Sequence, residues 1–267
     1  MENLAVKLIM TPILVGTASL AGRRWGPGVS GWLVALPLTS GPIVFYLTLS
    51  HGARFGSSVA AATLAGAMSQ AAFCLLYSRS ALRWRWPHAL LVACVGFAVA
   101  TIVLQNMALP LLARFLMVVL ALAAALRLMP SVTESGSGAQ VAPPRWDIPT
   151  RMLVTTAFAL LLTASASALG PGLTGLLAPF PLFATVLAVF AHQRQGAGQA
   201  VEVLRGLLVG LFSFAGFFLV LGTLLDQASV AWAFGAAVAA ALTIQGTTLW
   251  ALGRRVRARP RTGGQTA

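Results

Sequence analysis

Acidic residues are scarce in this chain. Its 267 residues include 5 Asp and Glu residues against 18 Lys and Arg residues, and charged residues make up only 9% of the sequence. A water-soluble protein of this length needs a far more charged surface, so the soluble globular class is excluded. The hydrophobic share of 58% and the mean hydropathy of +0.86 predict an integral membrane protein instead.

Residues that commonly carry chemistry are also few. Cys74 and Cys94 lie inside apolar runs, where ordinary packing is their expected role. His51, His88 and His192 lie near the ends of such runs and lack the spacing of metal ligands. The sequence contains neither a nucleophile-elbow motif nor paired carboxylates. We therefore expect no enzyme activity, no metal site and no cofactor.

The net charge of +13 would suggest nucleic acid in a soluble protein. Here most arginines fall between apolar runs of about 18 to 22 residues, the length of a membrane span. They are best interpreted as topology signals and contacts to anionic lipid. Because no nucleic-acid-binding motif accompanies them, the predicted partners are the lipid bilayer and a possible small-molecule substrate, with no nucleic acid. The oligomeric state is left open.

An internal repeat organises the chain. Residues 26–77 and 170–221 align without a gap at a constant offset of 144, with 16 identities in 52 columns. Shared Leu and Ala are common in so apolar a chain, but the shared Gly, Pro and Ser are not. The sequence therefore predicts a duplicated unit. Its most informative identical pairs are Gly26/Gly170, Pro27/Pro171, Gly31/Gly175, Pro37/Pro181, Gly52/Gly196, Gly66/Gly210 and Ser69/Ser213.

The predicted fold is an all-α transmembrane bundle of about nine spans. The polar pair Gln105-Asn106, with Pro110 nearby, divides a long apolar stretch into spans four and five. A Ser-, Gly- and Pro-rich segment follows and is the one linker. We expect a first four-span repeat at 1–106, a linking span and flexible cytoplasmic linker at 107–149, a second four-span repeat at 150–252 and a basic tail at 253–267.

Arginine positions predict the orientation of these spans. Placing the Arg-rich tail in the cytoplasm puts nearly all the other arginine clusters on the same side, as the positive-inside rule requires. Five spans separate the starts of the two repeats, so the repeats must enter the membrane in opposite directions. Inverted repeats joined in this way are typical of secondary transporters. We predict a multi-pass protein of the bacterial inner membrane with a cytoplasmic C-terminus.

Spans two and seven are interrupted at matching places. A proline inside a helix removes a hydrogen bond and kinks the axis, which a bilayer tolerates only beside protein or a wet cavity. We expect the two interrupted segments to face each other and to line a substrate path; alternatively, they merely shape helix packing. The predicted path residues are Pro37, Thr39, Ser40, Gly41, Pro42, Pro179, Pro181 and Phe183.

Polar and small residues within the spans allow further predictions. Glu202 is the one acidic residue that could be drawn into the membrane, and Arg205 is three residues further on. The two form either an interfacial cap and ion pair or a group that couples transport to protons or substrate. Gly66 and Gly210 belong to small-residue faces that favour close helix packing. Other polar side chains either face a cavity or bond across helices: Gln70, Thr101 and Gln245.

The second repeat resembles the GlpM-like bacterial inner-membrane proteins. The resemblance lies in the segment 175–184, in the Glu202-Val203-Leu204-Arg205 element and in the Gly- and Ser-rich span after it. Members of that family are single four-span units associated with alginate biosynthesis, so the resemblance implies a fused, inverted pair of such units. Drug/metabolite transporters share this plan by architecture alone. The membrane glutamate that small multidrug exporters carry in their first helix has no counterpart at 4–20.

Two functions are compatible with these features. The first is a secondary transporter or exporter of a small metabolite or an envelope-precursor molecule, working by alternating access between the inverted repeats. The second is a non-transporting accessory protein of a complex that makes a cell-envelope polysaccharide. The transporter requires a polar-lined cavity near mid-membrane, between spans two and seven, and the accessory protein does not.

Overall fold

The computed structural model describes residues 12–13, 16–21, 23–37, 40–105, 107, 109–131, 148–150, 152–154, 156–157 and 180–257. These residues are almost all helical, and none of them lies in a β-strand. The all-α prediction is therefore confirmed for this part of the chain. Its helices are α1 Pro27–Val34, α2 Ser40–His51, α3 Ala53–Ala81, α4 Trp86–Gln105, α5 Leu111–Leu128, α6 Leu182–Gln195, α7 Ala197–Leu224 and α8 Val230–Arg257.

Five of the described helices, α3, α4, α5, α7 and α8, are long and apolar enough to cross a membrane. This composition fits a helical membrane protein. The break between α4 and α5 falls at the predicted polar pair, because α4 ends at Gln105 and α5 begins at Leu111. Predicted span two is divided into the shorter helices α1 and α2. Most of predicted spans one and six, the linker and the last ten residues lie outside the described residues.

The helix boundaries recur at the repeat offset. Helices α2 and α6 end at His51 and Gln195, 144 residues apart, and α3 and α7 begin 144 residues apart at Ala53 and Ala197. Helices α4 and α8 begin at Trp86 and Val230, again 144 residues apart. The glycines that precede α3 and α7, Gly52 and Gly196, have φ of 88° and 93°. Such φ values favour glycine, so the repeat keeps it at both turns.

Helices α3 and α7 form the centre of the bundle. Their apolar windows are 56% and 61% buried, whereas those of α4, α5 and α8 are 17–22% buried. The two central helices run antiparallel. Ser57, near the start of α3, lies beside the end of α7, where its hydroxyl is 3.3 Å from a carboxylate oxygen of Asp226. The less buried α4, α5 and α8 therefore expose the apolar surface that lipid would cover.

Helix α1 packs against α7 rather than against the helices of its own half. The backbones come so close that a Cβ atom on Gly31 would overlap the Val203 carbonyl, and one on Gly206 would overlap the Gly28 carbonyl. A Cβ atom on Gly210 would lie 2.7 Å from the Trp32 carbonyl oxygen. Glycines on both helices create this seam, in the way that small residues allow close approach in membranes.

Helix α8 fixes the broken end of α1. The Gln245 side-chain amide donates to the Trp32 carbonyl at 3.0 Å, and the Trp32 indole N–H donates to the Thr248 hydroxyl at 3.1 Å. The Trp32 carbonyl needs this donor because the N–H of Leu36, its usual helical partner, bonds Leu33 instead. Gln245 therefore bonds across helices. The sequence left open whether Gln245 faces a cavity or bonds across helices, and the structure shows the inter-helix bond.

The remaining polar side chains within the spans behave in two ways. Thr101 occupies the repeat position of Gln245, and its hydroxyl is hydrogen-bonded to the Ser69 hydroxyl at 2.8 Å. The Thr101 hydroxyl donates its proton to the Phe97 carbonyl one turn earlier, at 2.8 Å, so it accepts from Ser69. Thr101 thus also links two helices, α4 and α3. Gln70 lines a cavity.

Candidate functional site

The site begins at the break between α1 and α2. Helix α1 ends at Val34, and its last turn is closed by a bond of 3.3 Å from the Leu36 N–H to the Leu33 carbonyl. Pro37 lies in the bend, and its carbonyl accepts from the Gly41 N–H at 2.8 Å in the first turn of α2. Proline ends one helix because it has no N–H to continue the ladder, and its carbonyl helps to start the next.

A second helix begins opposite this break. Pro181 directly precedes α6, and its carbonyl accepts from both the N–H and the hydroxyl of Thr185, at 2.8 and 2.9 Å. The Leu182 N–H bonds the Phe180 carbonyl at 2.8 Å, which makes a tight turn just before the helix. Pro37 and Pro181 hold the same repeat position. Each therefore precedes the helix that leads away from the centre of the molecule.

A cavity of about 70 Å³ lies between the two segments. Its lining residues on α3 and α7 lie near the middle of these helices. The cavity is therefore at mid-height of the bundle, where discontinuous helices of transporters hold their substrates.

The lining of the cavity follows the repeat. Four pairs of lining residues, 144 positions apart, lie on opposite halves of the chain, and three of the four members from the first half are polar. All four members from the second half are apolar. None of the lining residues that the structure describes carries a charge. The pairs are Leu36/Phe180, Ser40/Ala184, Thr63/Leu207 and Gln70/Phe214.

The structure places the predicted path residues in three ways. Ser40, Pro181 and Phe183 line the cavity. Pro37 lies in the bend beside it, and Gly41 is buried, with the position of a Cβ atom 3.5 Å from the Phe217 ring. The other three predicted residues are not seen to line the cavity. Pro42 belongs to the first turn of α2, and Thr39 and Pro179 lie outside the described residues.

Aromatic rings extend from the cavity toward the end of the bundle that carries Arg79. The Phe180 ring, which lines the cavity, packs edge-on against Phe73 and Phe97, with centroids 5.7 and 5.4 Å apart. Beyond them the Tyr77 hydroxyl lies 3.3 Å from Nδ1 of His192. Burial lowers the pKa of His192, just past the predicted end of span seven, which favours the neutral imidazole. Its Nδ1 can then accept from the tyrosine.

A second group of rings extends toward the opposite end. Phe214 lines the cavity and packs against Phe218 at 4.7 Å with the ring planes tilted by 56°, and Phe218 packs edge-on against Phe217 at 4.9 Å. Phe217 then contacts Phe234 of α8, which packs against Phe45 of α2. Phe73 and Phe217, one in each group, occupy the same repeat position. Aromatic rings thus extend from the cavity toward both ends of the bundle.

The predicted ion pair between Glu202 and Arg205 is not present among the described residues. The Arg205 guanidinium instead donates to the Pro130 carbonyl at 3.0 Å, just after the end of α5. The Glu202 carboxylate lies beside the first turn of α1, with Oε2 3.9 Å from the position of a Cβ atom on Gly28. The C-terminal end of α5 thus attracts the Arg205 cation, and the N-terminal end of α1 favours the Glu202 anion. Neither side chain lines the cavity.

Apart from Gln70, sequence reasoning missed the lining residues on α3 and α7: Thr63, Leu207 and Phe214. A usable signal was present. Thr63 and Gln70 are seven residues apart, as are their repeat counterparts, so both pairs share one face of a helix across two turns. Gln70 was recognised as a candidate for a cavity, and its face and its repeat partner would have pointed to the others.

Metal ligands do not gather at this site. Within the residues that the structure describes, no three His, Cys, Asp or Glu side chains lie close enough to hold a metal ion. Comparisons with protein-family models, curated proteins and solved structures found no match to this chain. The resemblance to GlpM-like proteins therefore stays a prediction from the residues quoted above.

Proposed function

We propose that the protein is a secondary transporter or exporter of a small metabolite or an envelope-precursor molecule. It crosses the bacterial inner membrane nine times, as two inverted four-span repeats joined by α5, with its C-terminus in the cytoplasm. Substrate reaches the central cavity from one side at a time as the two repeats move relative to each other. The observation that carries this proposal is the cavity lined by repeat-related pairs from both halves.

The geometry of the central helices supports inversion. Helices α3 and α7 occupy equivalent repeat positions yet run antiparallel, which an inverted repeat requires. Helices α2 and α6 both start at the cavity and lead to opposite ends of the bundle. A site between such halves lies near the axis that relates them, so equivalent movements of either half would open it to opposite sides.

The accessory-protein alternative accounts less well for these contacts. A scaffold needs partner-binding surfaces but gains nothing from polar side chains that converge on a central cavity. Ser40, Thr63 and Gln70 present hydroxyl and amide groups to this cavity, where a solute or water could bond them. A path for a ligand accounts for polar side chains at this place in the bundle.

Reconstitution into liposomes tests the proposal. The full chain, with Cys74 and Cys94 replaced by Ala, would be assayed for uptake of a metabolite panel under imposed proton and sodium gradients. We expect uptake of at least one solute above that of protein-free liposomes. Ser40→Cys would then be treated with a small thiol reagent, and we expect the added group to block that uptake.

The matched control is Ser229→Cys, in the exposed turn between α7 and α8. Its modification should leave uptake unchanged, which separates blockage of the cavity from general damage. Full uptake after complete modification of Ser40→Cys would contradict a path through this cavity. No uptake of any solute under either gradient would favour the accessory role.

A further inference from the structure

Resting on the proposed function, we infer that the cavity takes a small, uncharged, amphipathic molecule. Its hydrogen-bonding end would lie against the first half of the chain and its apolar end against the second. The inference rests on the difference between the two members of each repeat-related lining pair. The repeat keeps the positions of these residues, but the chemistry of one half differs from that of the other.

The polar wall comes from Ser40 on α2 and from Thr63 and Gln70 on α3. Gln70 is 7% exposed, and its amide has two donors and an acceptor oxygen with two lone pairs. Hydroxyl and amide groups can both donate and accept, so this wall suits a neutral head group such as an amide or an alcohol. All three residues are uncharged, so none of them selects for one sign of charge.

The apolar wall comes from Phe180 before α6 and from Leu207 and Phe214 on α7. These residues replace, position for position, a leucine and two polar residues of the first half. They have no hydrogen-bonding group to offer an entering molecule. A hydrocarbon end would gain free energy by leaving water for this wall, at about 0.8 kcal/mol per methylene.

Charged molecules fit this lining poorly. A buried ion needs a partner of opposite charge or several strong hydrogen bonds, or it costs several kcal/mol. None of the described lining residues carries a charge, and Glu202 and Arg205 are not among them. The cavity therefore discriminates by hydrogen bonding and apolar area rather than by charge.

Binding of a short series of solutes tests the inference. The probes are the primary amides acetamide, propionamide, butyramide and valeramide, with butyrate and butylammonium as charged analogues of matched length. Dissociation constants would be measured with the purified full chain in detergent, from the concentration dependence of its thermal stability. We expect affinity to rise about fourfold per methylene until the cavity is filled. Both charged analogues should bind at least about tenfold more weakly than butyramide.

Two variants test which wall of the cavity contacts which end of the bound molecule. Gln70→Leu should weaken binding of every amide about three- to tenfold by removing a hydrogen-bonding partner. Phe214→Gln should instead reduce the gain per methylene to less than about twofold, because it makes the apolar wall polar. Thr243→Leu and Trp232→Gln are the matched controls, since both positions are exposed on α8, and neither should change any dissociation constant.

Three results would overturn the inference: tight binding of butyrate or butylammonium, affinities unchanged by both cavity variants, or no binding of any amide. Thermal unfolding of each variant, measured without solute, would show whether a variant has lost the cavity alone or the whole fold. The proposed transport function is judged separately by uptake. Amide binding without uptake of any solute would reject transport and keep the inference. Uptake of charged solutes alone would support transport and reject the inference.

Discussion

Gly206→Ala is the sharpest test of the packing between α1 and α7. The added Cβ atom would overlap the Gly28 carbonyl and lie 2.6 Å from its carbon and 2.9 Å from the Gly28 Cα. Carbon atoms in contact prefer about 3.5 to 4.0 Å, so α1 would have to retreat by about 1 Å. That movement would also stretch the bond of 3.0 Å from Gln245 to the Trp32 carbonyl.

Two opposing terms set the magnitude. Alanine is favoured over glycine in a helix interior by about 0.5–1 kcal/mol. Overpacking typically costs about 1–3 kcal/mol. The atoms in the way belong to the main chain and cannot rotate aside, so the cost lies at the upper end of this range. We expect a net loss of about 2 kcal/mol, equivalent to a fall in Tm of about 4–8 °C for a chain of this size.

Thermal unfolding of the purified protein in detergent measures this change. Gly235→Ala is the matched control, because Gly235 also lies inside a helix but no heavy atom lies within 4 Å of its added Cβ atom. It should keep or slightly raise the Tm through helix propensity alone. Equal Tm values for Gly206→Ala and Gly235→Ala would refute the close approach of α1 and α7.

Three further substitutions test other contacts by the same measurement. Gln245→Leu should cost about 1–3 kcal/mol because a buried carbonyl of α1 loses its donor, and an unchanged Tm would contradict this. Gly196→Ala should cost about 1–3 kcal/mol, since φ of 93° suits only glycine, whereas Gly246→Ala should not. The changes in unfolding free energy caused by Glu202→Gln and Arg205→Gln should add within about 0.5 kcal/mol in the double variant. A larger coupling energy would indicate an ion pair between the two residues, which the structure lacks.

Much of the architecture was accessible from the sequence because local chemistry determines it. Proline beyond the first turn interrupts a helix, so Pro37 marked the break between α1 and α2, and Pro181 marked the start of α6. The division between α4 and α5 followed from the polar pair in an apolar run. The partner of α1 was not accessible, because Gly66 and Gly210 have the same repeat position and offer similar small faces. Only the three-dimensional structure shows that α1 packs on the helix containing Gly210.

The candidate site was only partly accessible for a related reason. Ser40, Pro181 and Phe183 were found through the breaks, but Phe214 looks like ordinary apolar filling in a helix that is mostly apolar. The surroundings of Glu202 and Arg205 were not accessible, because spacing along one helix says nothing about competing groups on its neighbours. The carbonyl of Pro130 and the first turn of α1 provided those competing groups.

The end of α5 is held by arginines from both halves of the chain. Arg79 donates to the Leu128 carbonyl through Nε and one terminal nitrogen at 3.3 and 3.2 Å, and Arg205 donates to the Pro130 carbonyl. Arg79 precedes α5 in the chain and Arg205 follows it. During synthesis the first contact can therefore form before residue 205 exists, which gives the emerging second half a fixed terminus on which to dock. The Arg79 contact to α5 can thus form before the Arg205 contact, which joins the second half to the same helix end.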